Sequence, residues 1–283
     1  MTSILRSLLF TPANRPRVFD KALVAGADCV CLDLEDAVPP ADKCMARHGA
    51  MAFLAAATAE PIRPARALRM NSLDSVAGAR DLAVLADSAP QAGLLMLPKV
   101  SSATELRLVA SILDEIGSVT RLIALVETAT GLSRVEEIVR ATPRLCAVMF
   151  GGVDLSAELG AQMGSDTMRT ARARIVHAAR AGGVDVLDVP ELDFRNAGVV
   201  AVAAKNAVEN GFTGKAAIHP SNLKVINAAF TPSVQEIARA KQIIAAFEAS
   251  PNGLVVIDGK LVEAPVIKGM RLRLAIAEAA GVL

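Results

Sequence analysis

Two apolar stretches of this sequence each lead to a carboxylate, and the spacing of the two carboxylates suits a shared metal site. Residues 122–126 precede Glu127, and residues 147–150 precede a Gly-Gly-Val turn and Asp154. Short apolar runs of this kind are typical of strands buried on both faces. The acids are 27 residues apart, which is about one strand–helix–strand unit, so neighbouring strands would bring them together. Hard cations such as Mg²⁺ or Mn²⁺ prefer oxygen ligands; the alternative is two strand-end acids that face solvent.

The elements that must position these acids alternate regularly. Strand patterns occupy residues 7–11, 29–34, 67–71, 94–98, 122–126, 147–150, 184–189 and 216–218. Helical patterns occupy residues 16–25, 41–57, 73–85, 102–116, 131–141, 167–181 and 197–210. Eight strands that alternate with helices predict an α/β protein whose parallel sheet closes as a (β/α)8 TIM barrel. A doubly wound open sheet is the alternative, although no GxGxxG turn follows the first strand.

The last part of the chain has a different pattern. A helix is predicted at residues 234–249 and another at residues 265–280, and between them Asp258-Gly259 separates two apolar runs. Asp-Gly at such a place is typical of a β-hairpin turn. We therefore expect residues 1–230 to form the barrel and residues 231–283 to form a C-terminal helix–hairpin–helix extension. The extension would cover the barrel mouth or pack on a neighbouring subunit.

Polar residues follow most of the predicted strands, and in a barrel they would share one rim. The carboxyl ends of barrel strands all lie at the face where active sites are built. A ring of basic and acidic side chains there predicts a site for a small anion together with a cation. In chain order these residues are Arg15, Asp33, Glu35, Asp36, Arg69, Lys99, Glu127, Asp154, Asp188 and His219.

Composition excludes several classes of protein. Thirty basic and 29 acidic residues are spread along 283 positions, without the basic block that nucleic-acid binding requires. Apolar runs are too short for a membrane span, and the first residues lack a signal-peptide pattern, so we expect a cytoplasmic protein. The four cysteines lack zinc spacing, and Cys29 and Cys31 lie on one strand face, where free Cys acts as a small buried hydrophobe.

Seven motifs in chain order resemble those of the citrate lyase β-subunit-like branch of the HpcH/HpaI aldolase family. They are LLFTPANRP (residues 8–16), LDLEDAV (32–38), LRMN (68–71), MLPK (96–99), VETATG (126–131), FGGVDLS (150–156) and GKAAIHP (214–220). The resemblance implies a trimeric or hexameric TIM barrel that uses Mg²⁺ to make or break a carbon–carbon bond. It also implies coenzyme A thioesters as the acyl partner, bound along the rim.

The resemblance also implies roles for particular residues. Glu127 and Asp154 would hold the metal, and Glu127 would contact substrate as well. Arg69 would bind the carboxylate of a small keto acid, and Glu35 and Asp36 would surround the metal site. The expected activity is that of a Mg²⁺-dependent carbon–carbon lyase that acts on a hydroxyacyl-CoA-type thioester through a metal-stabilised enolate.

The catalytic base departs from the family pattern. Some relatives that handle thioesters place an Asp just before a Pro in the C-terminal segment, and a neighbouring subunit supplies it. The matching residue here is Glu263, which precedes Ala264 and Pro265. The carboxylate of Glu263 is one methylene further from the backbone than that of an Asp would be. A homotrimer with this arrangement remains the expectation, and a different acyl substrate or base stays open.

Several alternatives remain at the level of sequence. Arg69 would otherwise form a salt bridge to Glu35 or Asp36. Lys99 would steer substrate or support structure rather than form a Schiff base, because nearby carboxylates favour its charged form. Arg15 would contact a CoA phosphate, the substrate or a rim acid, and His219 would satisfy backbone groups in a turn.

Two rival functions also stay open. One is a thioesterase or condensing enzyme that uses the same enolate-stabilising site. The other is a citrate lyase β-like subunit that is active only with an acyl-carrier protein as its partner.

Overall fold

The computed structural model describes residues 5–58, 63–250 and 253–283. Eight parallel strands pair in chain order, and the first also pairs with the last, so the sheet closes into a barrel. The predicted (β/α)8 TIM barrel is confirmed. The strands are β1 (Ser7–Pro12), β2 (Cys29–Asp33), β3 (Ala65–Arg69), β4 (Leu94–Leu97), β5 (Arg121–Val126), β6 (Leu145–Phe150), β7 (Asp185–Asp188) and β8 (Gly214–Ala217).

Helices surround the barrel, and none of those in the described residues is long and apolar enough to cross a membrane. Two of them were not predicted, α7 and α10, and the predicted helix at residues 131–141 is two short helices. The barrel helices are α1 (Phe19–Leu23), α2 (Lys43–Ala55), α3 (Val76–Ser88), α4 (Ala103–Glu115), α5 (Ala129–Ser133), α6 (Val135–Ile138), α7 (Gly152–Glu158), α8 (Asp166–Gly182), α9 (Ala197–Glu209) and α10 (Leu223–Phe230).

Alternate strand residues face either the barrel interior or the helices. On β2, Cys29 and Cys31 are fully buried in the interior cluster, whereas Val30 and Leu32 pack in the outer cluster. The prediction that these cysteines behave as buried hydrophobes is confirmed. Because side chains alternate with a period of two, the next inward position on β2 is Asp33. The same continuation leads to Arg69 from Ala67 on β3 and to Glu127 from Leu125 on β5.

The C-terminal extension has a small core of its own. It consists of α11 (Val234–Glu248), the hairpin β9 (Val255–Ile257) and β10 (Lys260–Val262), and α12 (Ala264–Ala279). Ile243, Val262 and Ile267 are buried together there, in a cluster separate from both barrel clusters. Asp258 and Gly259 have φ of 49° and 74°, as a type I′ turn requires, so the predicted hairpin is confirmed.

Candidate active site

A cavity of about 450 Å³ opens at the carboxyl ends of the barrel strands. No extension residue of the described chain is among those that line it, so the placement of the extension over a neighbouring subunit stays a prediction. The charged lining residues of the cavity follow or end β2, β3, β5 and β6, whereas the residues that line it after β7 and β8 are apolar. Its charged lining residues are Asp33, Asp36, Arg69, Glu127 and Asp154, and its apolar ones include Phe10, Leu125, Met149, Val189, Leu192 and Ile218.

Asp33 and Arg69 form the innermost ion pair of the site. They are register partners on β2 and β3, and Arg69 donates from Nε to Asp33 Oδ1 at 2.7 Å and from Nη2 to Oδ2 at 2.6 Å. Asp33 also accepts the backbone N–H groups of Glu35 and Ala37 at 2.9 and 3.1 Å. Asp33 therefore orients Arg69 and folds the loop after β2. From sequence, Asp33 is predicted at the rim without a role, although the alternation through Cys29 and Cys31 predicts that its side chain faces the barrel interior.

The rest of the Arg69 guanidinium faces the two other acids of this loop. Nη1 lies 3.0 Å from Glu35 Oε2 and 3.3 Å from Asp36 Oδ2, so the salt bridge considered as an alternative is present. Burial opposes ionisation, but the hydrogen bond and the charge of Asp33 outweigh it and raise the pKa of Arg69. Nε and Nη2 of Arg69 bind Asp33, so a contact with a substrate carboxylate would use the remaining N–H groups of Arg69.

Lys99 connects the loops after β2, β4 and β5. Its φ is 54°, a left-handed conformation that is costly for a residue with a side chain. In this conformation its backbone N–H donates to Glu127 Oε1 at 2.9 Å and Nζ donates to Glu35 Oε1 at 2.7 Å. Burial opposes the charge of Lys99, but the hydrogen bond and charge of Glu35 raise its pKa above the ordinary value. A charged amine is a poor nucleophile, so the Schiff-base role is disfavoured.

Glu127 and Asp154 lie side by side. Glu127 follows β5 and is 2% exposed, whereas Asp154 is exposed in the first turn of α7 and does not itself end a strand. Burial, the charge of Glu35, and then a hydrogen bond and the charge of Asp154 raise the pKa of Glu127 to about 9. In the absence of a cation, this carboxyl group therefore holds its proton at neutral pH.

Gly151 and Thr128 determine the position of the Glu127 side chain. A Cβ on Gly151 would overlap the Glu127 Cβ and lie 2.8 Å from its Oε2, so a residue with a side chain cannot occupy this position unless Glu127 moves. Thr128 caps α5 by accepting the N–H of Gly131 at 3.0 Å, so a helix begins directly after Glu127. The strand end and the glycine together fix the carboxylate at the rim.

The residues present fit a divalent cation. Glu35 Oε2 is buried and has no hydrogen bond in the structure, although Arg69 Nη1 lies 3.0 Å from it. Burial, together with Glu35 and Asp154, raises the pKa of Glu127 to about 9. An acceptor oxygen without a donor and a crowded pair of carboxyl groups both suit the binding of a cation. Across the described ranges no group of three or more His, Cys, Asp or Glu could hold a metal, which restricts the protein ligands to a pair. Glu127 with Asp154 is such a pair, and it leaves open positions.

Four of the predicted site residues are not among those that line the cavity. Glu35 and Lys99 contact lining residues, whereas Arg15 and Glu263 are exposed. Arg15 is exposed just before the 3₁₀ turn Pro16–Val18, and the acids that were its alternative partners contact Arg69. Glu263 is exposed at the N-cap position of α12. His219 accepts the backbone N–H of Ser221 through Nδ1 at 3.2 Å, so the prediction that it satisfies a turn is confirmed.

The comparison with family models decides the classification. Residues 6–220 match the model described as HpcH/HpaI aldolase/citrate lyase. This chain belongs to the HpcH/HpaI aldolase/citrate lyase family. The matched region includes all eight barrel strands, from Ser7 to Ala217, whereas the C-terminal extension lies beyond it.

Members of this family resemble the chain over nearly its whole length. CitE from Mycobacterium tuberculosis, solved in complex with magnesium, acetoacetate and coenzyme A, has a TM-score of 0.82 and 34% identity over 98% of this chain and 100% of that one. A (3S)-malyl-CoA thioesterase from Cereibacter sphaeroides is 36% identical over 97% of this chain and 95% of its own length. An L-malyl-CoA/β-methylmalyl-CoA lyase from Rhodobacter capsulatus is 32% identical over 98% and 96%.

Proposed function

We propose that this chain is a Mg²⁺-dependent carbon–carbon lyase. It cleaves a hydroxyacyl-CoA thioester into an acyl-CoA and a small 2-keto acid, or forms the thioester from these two. The observation that carries the proposal is the charged cluster at the cavity: Arg69, Glu127 and Asp154 line it. Glu35 and Lys99 contact each other and the lining residues Arg69 and Glu127. The family relatives support the class of substrate, since their names include malyl-CoA lyases and a CitE complex with magnesium and coenzyme A.

Glu127 and Asp154 would hold the metal. When bound, Mg²⁺ supplies a Lewis acid that polarises the carbonyl and carboxylate oxygens of the keto acid. Glu127 gives up its proton for this role, and the Lys99 N–H at its Oε1 keeps the carboxylate aimed at the cavity. Mn²⁺ shares the preference for oxygen ligands and is a substitute.

Arg69 and Lys99 provide the positive charge of the site. Arg69, oriented by Asp33, would bind the keto acid carboxylate through the N–H groups that Asp33 leaves free. Glu35 and Asp36 hold Arg69 in place, and Glu35 also holds Lys99. Charges fixed before the reaction stabilise negative charge as it develops on the substrate, without reorganisation.

The catalytic base would come from a second copy of the chain. Glu263 is exposed and stands outside the cavity of its own barrel, and the extension that carries it exposes Val256 (65%) and Leu261 (55%) on its hairpin. Apolar side chains exposed on a hairpin indicate a contact surface. In a homotrimer or hexamer, residues 231–283 would place Glu263 at the mouth of a neighbouring barrel, and Arg15 at the rim would contact a CoA phosphate.

A thioesterase is the second candidate, favoured by the 36% identity to (3S)-malyl-CoA thioesterases. The same fixed charges would then stabilise the carbonyl oxygen while water attacks the thioester. The two candidates differ in their products: a lyase releases a keto acid and an acyl-CoA, whereas a thioesterase releases a hydroxy acid and free CoA. A requirement for an acyl-carrier partner would appear as inactivity of the isolated chain on every CoA thioester.

Calorimetric titration tests the lyase first. Metal-free protein is titrated with Mg²⁺ and then with glyoxylate, pyruvate, oxaloacetate and acetoacetate in turn. One keto acid should bind when Mg²⁺ is present and fail to bind without it. That keto acid is then the expected cleavage product in a turnover assay. Absence of metal and keto acid binding would reject the proposed site in the isolated chain.

A further inference from the structure

The loop after β2 is held from two sides. On one side, Asp33 accepts the backbone N–H groups of Glu35 and Ala37. On the other side, Lys43 Nζ donates to the backbone carbonyls of Leu34 at 2.9 Å and Glu35 at 2.8 Å. A short loop whose backbone groups are bound on both sides has little freedom to change its conformation.

Lys43 reaches these carbonyls from the first position of α2. It is half-buried and is not among the residues that line the cavity. Its Nζ also donates to Asn71 Oδ1, in the loop after β3. An ammonium group has three N–H donors, so each of them has an acceptor here. The side chain therefore joins the loops after two neighbouring strands.

Asn71 is itself fixed by a buried acid. Its backbone N–H and its Nδ2 both donate to Asp81 Oδ2 at 2.7 Å. Asp81 is fully buried on α3, and its other oxygen accepts the Nε of Arg47 from α2. Because Nδ2 is bound to Asp81, the amide presents its oxygen to Lys43. The arrangement thus holds α2, α3 and the two loops together.

The loop after β2 carries the acid that joins the two cations of the site. Glu35 Oε1 accepts Lys99 Nζ at 2.7 Å, and Oε2 lies 3.0 Å from Arg69 Nη1. Lys99 in turn donates its backbone N–H to Glu127. Because the Glu35 side chain is buried, it has little room to compensate for a shift of its own backbone. Such a shift would lengthen both contacts.

We propose that Lys43 is a positioning residue of the candidate active site, since it holds the backbone from which Glu35 reaches Lys99 and Arg69. The inference rests on the proposed lyase for its effect on keto acid binding. A displacement of 1 Å that originates far from the chemistry is enough to lose about a hundred-fold in activity. A residue that touches no ligand can therefore control how well the ligand binds.

Hydrogen exchange measures the loop directly in the full-length protein. Lys43→Met removes the three donors and keeps an unbranched side chain that suits a helix. Mass spectrometry follows a peptide over residues 33–38 and a reference peptide over residues 145–150 in β6. Exchange in the loop should become about ten-fold faster, whereas the reference should keep its rate. Lys224→Met is the matched control, exposed in the first turn of α10, and should change neither peptide.

Keto acid binding measures the consequence for the site. Glyoxylate, pyruvate, oxaloacetate and acetoacetate are titrated by calorimetry with Mg²⁺ present. The keto acid that binds wild type should bind Lys43→Met about ten-fold more weakly. The double variant with Glu35→Gln should bind it no more weakly than Glu35→Gln alone, because Lys43 acts through Glu35. Asn71→Ala removes one acceptor of Lys43 and should show the same local change in exchange, to a smaller extent.

Several results would overturn the assignment. They are unchanged loop exchange in Lys43→Met, unchanged keto acid affinity in that variant, or additive effects in the double variant. Faster exchange in the loop and in β6 alike would also overturn it, since it would mean a general loss of stability. If wild type binds none of the keto acids, the lyase proposal fails, and loop exchange alone decides the role of Lys43.

Discussion

Gly151 packs against the Glu127 side chain so closely that a Cβ at this position would overlap the Glu127 Cβ. The same Cβ would stand 2.8 Å from Glu127 Oε2 and 3.1 Å from Leu125 Cδ1. Both neighbours are buried, so neither has free space to move into. The position of the proposed metal ligand therefore depends on the absence of a side chain at Gly151, directly after β6.

Gly151→Ala should weaken Mg²⁺ binding by about ten-fold or more, because Glu127 must rotate away from Asp154 to make room. Calorimetry with Mg²⁺ measures the loss, and circular dichroism checks that the barrel is retained. Gly164→Ala is the matched control, since a Cβ there meets nothing within 4 Å. Equal Mg²⁺ affinity in the Gly151 variant and wild type would show that Glu127 is not a ligand.

Mg²⁺ affinity should rise with pH. Burial, Glu35 and Asp154 raise the pKa of Glu127 to about 9, so metal binding at neutral pH must release this proton. Affinity should then increase by up to about ten-fold per pH unit below about pH 9 and level off above it. Calorimetry in two buffers of different ionisation enthalpy counts the protons. Affinity that is independent of pH, without proton release, would contradict the assignment.

The same group should make the metal-free protein less stable as pH rises. Its pKa in the folded state lies above the ordinary value of 4.5, so between pH 4.5 and about pH 9 the folded state binds more protons than the unfolded state. The free energy of unfolding contributed by Glu127 therefore falls with increasing pH across this window. Thermal melts should show a larger Mg²⁺-induced rise in Tm near pH 9 than near pH 6, and an equal rise at both would argue against this linkage.

Asp33→Asn should disturb the orientation of Arg69 without affecting the binding of Mg²⁺. It breaks a buried, two-pronged ion pair, so the free energy of unfolding should fall by about 3 kcal/mol. Keto acid binding should weaken by about ten-fold because Arg69 loses its orientation, whereas Mg²⁺ affinity should hold. Urea unfolding and calorimetry measure the two effects.

Asp36→Asn is the control for that experiment. Asp36 contacts the same Arg69 at 3.3 Å but its side chain is 59% exposed, so its loss should cost less than about 1 kcal/mol. Similar effects of both substitutions would mean that Asp33 has no special part in holding Arg69.

Mixing two inactive variants tests whether Glu263 acts between subunits. Asp154→Ala should abolish turnover by removing a metal ligand, and Glu263→Ala should abolish it while Mg²⁺ and keto acid binding remain. Both should keep the barrel, because each side chain is exposed. Co-refolded mixtures should regain activity, since some interfaces pair an intact Asp154 with an intact Glu263. Activity that stays absent in mixed oligomers, confirmed by light scattering, would refute the shared site.

The strands could be predicted from sequence because a parallel barrel buries both strand faces in continuous apolar runs. β3 was placed two residues too late because Arg66 interrupts its run. In the structure Arg66 extends outward over the Phe53 ring at 4.7 Å and donates to the Phe53 carbonyl at 3.2 Å. A long cationic side chain on a strand is thus satisfied by its neighbouring helix, which residue type alone does not reveal.

The site was harder to predict where it depends on register. Glu127 was found because it ends an apolar run, whereas the importance of Asp33 follows from its register partner Arg69, 36 residues later. Helix α7 was missed because it is short and begins with glycine, so Asp154 was expected at a strand end. The spacing of residues along the sequence determines neither which residues of two strands are register partners nor where a helix begins when no side chain caps its N-terminus.

The division of the barrel mouth into a charged half and an apolar half bears on how this enzyme family diversifies. Asp33, Glu35, Asp36, Arg69 and Lys99 depend on one another through shared ion pairs. Hydrogen bonds join Glu127 to Lys99 and to Asp154, so a change in one charged residue disturbs the rest. Val189, Leu192 and Ile218 share no such pairs, and each can be replaced singly. Libraries confined to these three positions should yield enzymes with altered acyl-chain preference whose bond-cleaving chemistry is unchanged, which makes the apolar half the evolvable half of the barrel.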